Sequence, residues 1–142
     1  HTKVALSANN LGLVLKDQGD REGARKCCER ALAIDEKALG PDHTGVASIA
    51  NNLGSVLKDQ GDLEGARKCC ERALAIDEKT LGPDHTRVAI RVNNLGSVLQ
   101  DQGDLEGARR CAGRALAIFE SRLGKDHPNS ILARSNLRML QK

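Results

Sequence analysis

Aromatic side chains are almost missing from this chain. Of 142 residues only Phe119 is aromatic; there is no Trp and no Tyr, and Met occurs once. A core must therefore be built from Leu, Ile, Val, Ala and Cys. No apolar run approaches the roughly 18 residues that a membrane-spanning helix needs, and no signal-peptide pattern is visible. No membrane partner is expected. No segment alternates apolar and polar residues as a half-buried strand does. There is also no P-loop, no Ser-His-Asp arrangement and no pair of carboxylates with a plausible cleft, so neither a catalytic residue nor a cofactor is expected. The chain begins at His1, in phase with a repeat and without an initiator Met, and reads as a piece of a longer protein.

What the chain does have is a period of 42 residues. The units are 1–42, 43–84 and 85–126, and a partial fourth occupies 127–142. Units one and two agree at 36 of 42 positions, and units two and three at 30. Repetition of this kind implies stacked units, each burying its apolar face mainly on its neighbours. In unit two, Val46, Ala50, Leu53, Val56 and Leu57 fall at helical spacing. Gly61 then ends that helix and Asp62 caps the next. A second pattern runs through Ala66, Cys69/Cys70, Ala73, Leu74, Ile76 and Leu81 and stops at Gly82-Pro83. The spacing predicts helices over about 45–59 and 63–81, hence an all-α chain of helical hairpins with a last helix over 128–141.

Residues Ala50, Leu53, Gly54 and Leu57, then Ala66, Cys70 and Ala73, follow the tetratricopeptide pattern of W-x2-L-G-x2-Y, then A-x3-F. The chain resembles that family over all 142 residues, in the longer form found in kinesin light chain. The resemblance implies a right-handed superhelix of three hairpins plus a capping helix, and a non-enzymatic module for protein or peptide partners. The departures are Leu15, Leu57 and Leu99 where Tyr is expected, and Cys28, Cys70 and Ala112 where Phe is expected. Smaller residues there imply closer helix packing or less stability per unit.

The cysteines and histidines invite chemistry that their spacing opposes. In Cys27/Cys28 and Cys69/Cys70 the neighbours point about 100° apart on a helix, so neither pair clamps one metal ion. Buried thiols pack as small hydrophobes, and free ones suit a reducing, cytoplasmic setting. His1, His43, His85 and His127 recur a full unit apart and read as helix-entrance residues. Gly12, Gly54 and Gly96 read as contacts where the second helix approaches the first. Phe119 stands where Asp35 and Asp77 stand in the earlier units and is expected to pack beneath the last helix, against Leu132 or Leu137.

Each unit also carries an asparagine pair. In the resembled family the first helices line the concave surface, which places Asn9, Asn10, Leu13, Asn51, Asn52, Ser55, Lys58, Asn93, Asn94 and Ser97 in a groove. An amide offers both a donor and an acceptor, as a peptide backbone does. One Asn per unit, Asn10, Asn52 and Asn94, is then a main-chain clamp for an extended peptide. The alternative is that these amides bond to the neighbouring unit and fix its stacking angle. Asn at these places, rather than Lys or Arg, argues against a grip on chaperone-tail carboxylates. Residues 1–84 hold 12 basic and 14 acidic residues, against 10 and 5 over 85–142. The basic end is read as helix-end charge or as a contact for an acidic partner; no nucleic-acid partner is expected. End-to-end self-association, or a sensor arm on a larger switch protein, are the other functions in view.

Overall fold

The computed structural model describes residues 2–141, with side chains described from Asn10 to Gln141. The helices are α1 (Thr2–Asp17), α2 (Arg21–Leu39), α3 (Thr44–Asp59), α4 (Leu63–Leu81), α5 (Thr86–Asp101), α6 (Leu105–Leu123) and α7 (Pro128–Leu140). No strand occurs among the described residues. The chain is all-α, and α3 and α4 agree with the expected helices of the middle repeat to within one residue.

The boundaries follow from capping chemistry that recurs with the repeat. The Nδ1 atoms of His43, His85 and His127 accept the backbone N–H of Gly45, Arg87 and Asn129 at 2.9, 3.0 and 3.1 Å. Each satisfies a donor that a helix start would otherwise leave unpaired. His1 lies outside the described residues. Asp20, Asp62 and Asp104 do the same for the second helices, accepting from Gly23, Gly65 and Gly107 at 2.9, 3.0 and 2.9 Å. Gly61 and Gly82 take φ of +85° and +91°, the left-handed region that ends helices and favours glycine.

The chain divides inside α4 into two compact units, one ending at Ile76 and one beginning at Asp77. In the first unit α3 is apolar on two sides. Val46, Ala47 and Ala50 pack with Ala73 and Ile76 of α4. Leu53 and Val56 pack with Ala24 and Cys28 of α2, with Leu15 and Leu57 at the margin. Cys28 and Cys70 are buried where an aromatic was expected. The space saved is taken up by close approach. A Cβ on Gly54 would lie 3.1 Å from Cys70 Sγ and 3.2 Å from Cys69 Cβ.

In the second unit Val88, Val92 and Val98 of α5 are buried, as are Ala108, Ala112 and Ala115 of α6. Here a Cβ on Gly96 would stand 2.9 Å from Cys111 Cβ. Phe119 is buried, and it lines a cavity of about 130 Å³ with Ile90, Asn129, Leu132 and Ala133. It packs beneath α7 as expected, but its buried counterpart is Ala133. Leu132 borders the cavity while staying largely exposed, and Leu137 does not line it.

An arginine clasp closes each helix pair onto what precedes it. Arg72 of α4 pairs with Glu36 at 2.7 Å and donates to the Pro41 carbonyl at 3.3 Å. Arg114 of α6 pairs with Glu78 and donates to the Pro83 carbonyl, at 3.4 and 3.2 Å. After α6 the same two acceptors, Glu120 and the Lys125 carbonyl, are held by Arg134 of α7 at 3.8 and 3.1 Å. The last helix thus supplies the arginine that a second helix supplies elsewhere.

Candidate functional site

The asparagines sit mid-helix on α1, α3 and α5, where a helix gains nothing from Asn. In the second unit, Asn93, Asn94 and Ser97 of α5 open onto one cavity of about 280 Å³. Gln100 and, from α7, Asn136 and Met139 line it too, over a floor that includes Gly96, Ala108 and Ala112. The small floor residues that let α5 and α6 approach also leave room above them. Amides from two helices therefore face one hollow and offer several donors and acceptors together.

Apolar side chains border these amides. Ile90, Leu132 and Met139 are exposed, Met139 at 66%. Helical spacing puts Ile90 with Asn94 and Ser97, and Leu132 with Asn136 and Met139. Exposed apolar groups beside hydrogen-bonding amides suit a ligand with a polar backbone and apolar side chains.

In the first unit the expected residues are in use. Ser55 Oγ accepts from Lys16 Nζ at 2.6 Å, and Lys16 lies 3.9 Å from Asp59. Asn51, Asn52 and Lys58 are half-buried and each engages a partner within the chain, as does Asn94. Leu13 is half-buried and Asn10 exposed. The side chain of Asn9 lies outside the described residues. The Lys16–Ser55 bond joins α1 to α3, so part of this polar row serves to hold neighbouring helices.

Three of the thiols are held protonated by their surroundings. Burial pushes the Cys28 thiol up to about 11 and raises Cys69 and Cys111, which suppresses the thiolate that reacts or binds metal. None of the five cysteines is in a disulfide, and no group of three or more His, Cys, Asp or Glu among the described residues is placed to hold a metal ion. No helix among them is long and apolar enough to cross a membrane.

One polar cluster was not anticipated from the sequence. Asp77 is fully buried, and its Oδ2 accepts Arg91 Nε at 2.9 Å, with Arg87 Nε at 3.5 Å. Arg91 is itself buried. The signal was present, because Asp35, Asp77 and Phe119 share one repeat position and residues ten and fourteen further on vary with it. Only the fold shows that these three positions touch.

Comparison with known proteins agrees with this architecture. Tetratricopeptide repeat models match residues 3–64, 46–87 and 88–129. Among curated proteins no sequence matches the chain. The crystal structure of BtubC (BKLC) from P. vanneervenii is similar at 27% identity and TM-score 0.88, over 96% of this chain and 54% of that one. A putative kinesin light chain with nearly identical repeats, from Podosopora anserina, gives 22% and 0.90 over 99% and 66%. The first such domain of Spaghetti (RPAP3), bound to an HSP90 peptide, gives 18% and 0.73 over 99% and 93%. The chain thus spans about half of the BtubC structure and two thirds of the Podosopora anserina one. With the family models reaching from residue 3 to residue 129, the chain belongs to the tetratricopeptide repeat family.

Proposed function

We propose that the chain is a non-enzymatic interaction module that holds an extended peptide segment of a partner protein by its main chain. The observation that carries this is the hollow in the second unit, where Asn93, Asn94, Ser97 and Asn136 meet from α5 and α7. An extended backbone presents a donor and an acceptor at each residue, and these amides answer both. Ile90, Leu132 and Met139 would cover alternate side chains. Asn52 and Asn10 hold the same repeat position in the first unit. Tetratricopeptide domains are protein-interaction modules, and the RPAP3 domain was solved with an HSP90 peptide. Here the polar row is amide rather than basic, so the ligand is held by its backbone and not by a tail carboxylate.

The test is selection of nine-residue peptides from a random display library on the full chain, followed by Asn52→Ala with Asn94→Ala. The selected peptides should lose at least tenfold in affinity while the melting temperature holds. Unchanged affinity, or a variant that only melts earlier, would make the asparagines scaffolding.

A second reading, stacking between chains, draws on Leu11 and Val14, which are about half exposed where Leu53 and Val56 are buried. Light scattering over a concentration range separates the two, because only stacking raises the molar mass.

A further inference from the structure

The variable position 35/77/119 shows what one member of the series lacks. Asp77 is answered by two arginines, and Arg87 is half exposed, so a guanidinium lying at the surface reaches the buried carboxylate. Asp35 occupies the same repeat position and is 7% exposed. Where Arg87 and Arg91 stand for Asp77, Asp35 has Gly45 and Ile49. Ile49 packs against Ala31, Leu32 and Ile34. No basic side chain among the described residues is paired with Asp35; its Oδ1, like that of Asp77, has no hydrogen-bond partner, but Asp77 has its arginines on Oδ2. A buried carboxylate without a cation is costly, and a cation delivered to it is correspondingly favoured.

Gly45 puts no side chain of its own beside Asp35. A Cβ built there lies 3.7 Å from Asp35 Oδ2, beside Leu39 at 3.6 Å and His43 Nδ1 at 3.2 Å. This is the start of the path that the Arg87 side chain takes toward Asp77 in the next repeat. Residues 1–84 hold 14 acidic against 12 basic residues, so no excess of positive charge in that part of the sequence stands against a cationic ligand.

We propose that Asp35 and the bare backbone at Gly45 form a subsite for an arginine of the bound peptide, which takes toward Asp35 the place that Arg87 takes toward Asp77. The proposal rests on the peptide reading above and adds the side-chain chemistry of the ligand. Arginine suits better than lysine because its planar guanidinium stays charged and presents Nε and Nη donors together. Gly45 and Asn52 are seven residues apart on one face of α3, about 10 Å along the axis. An extended peptide covers that distance in about three residues. The ligand therefore carries its arginine about three residues from the peptide unit held at Asn52.

The experiment uses the library-selected peptides on the full chain, each made with arginine and with citrulline, which keeps the shape and removes the charge. Asp35→Asn is nearly isosteric and relieves the unpaired charge, so it should melt no lower than the parent. The expected result is a shared arginine whose replacement by citrulline costs tenfold or more on the parent chain and nothing on Asp35→Asn. Gly45→Arg, which supplies the guanidinium from within the chain, should likewise abolish the preference. The asparagine double variant should weaken both peptides equally. If both peptides bind the parent equally while the asparagine variant weakens both, the arginine subsite is wrong and the groove reading survives. If the arginine preference disappears in Asp35→Asn but the asparagine variant binds normally, the subsite stands and the main-chain clamp fails. A library that yields no binder overturns both.

Discussion

Asp77 and its arginines are a buried ionic cluster whose value depends on completeness. Arg91→Met leaves a carboxylate with no solvent access and only the longer contact from Arg87. Urea unfolding should show a loss of about 3–5 kcal/mol, the usual cost of breaking a buried pair from one side. Asp77→Phe together with Arg91→Ala copies the pairing of Phe119 with Ala133 and should recover most of that loss. Cys28 gives a second residue-level prediction. Its thiol is raised to about 11 from an ordinary value of 9.0, so the folded state keeps its proton where the unfolded chain loses it. Stability is then level below pH 9 and falls as pH climbs through about 11, with Cys69 and Cys111 adding in the same direction. Thermal melts from pH 8 to 11 should show this decline, and Cys28→Ala should make it shallower. Iodoacetamide at pH 8 should label half-exposed Cys27 before Cys28, as read by mass spectrometry.

Between helices, closeness is set by the glycine of each first helix. Gly96→Ala would put a methyl group 2.9 Å from Cys111 Cβ, nearer than carbon atoms pack, so α5 and α6 must part. We expect a destabilisation of about 1–3 kcal/mol in urea titration, and recovery on adding Cys111→Gly. The helices themselves were legible in the sequence because their signals are local. Asp20, Asp62 and Asp104 cap by reaching three residues ahead, the histidines by reaching two, and the glycines mark the stops. The asparagine row was placed by helical phase together with the family resemblance, which give a face but no partner. That Lys16 would occupy Ser55, across 39 residues, and that Met139 would border the amide hollow, depend on packing between helices, which spacing does not encode. The Asp77 cluster was missed for the same reason: its members are ten and fourteen residues apart on two helices, and only their contact gives them meaning.

For the molecule as a whole, near-identity of the repeats makes the fold additive. Stability in such arrays is close to a sum of unit and neighbour contributions. Inserting a second copy of residues 43–84 after residue 84 should give a folded chain with a higher melting temperature. Its urea m-value should rise in proportion to the surface added. Appending the same copy after residue 142 is a different matter, because of Arg134. The carboxylate of Glu120 and the carbonyl of Lys125, which a newcomer's arginine would seek, are already occupied from within. A repeat arriving there meets a filled socket and must first evict the resident side chain. Lengthening from that side is thus an exchange between rivals, with a barrier that the middle of the chain does not impose.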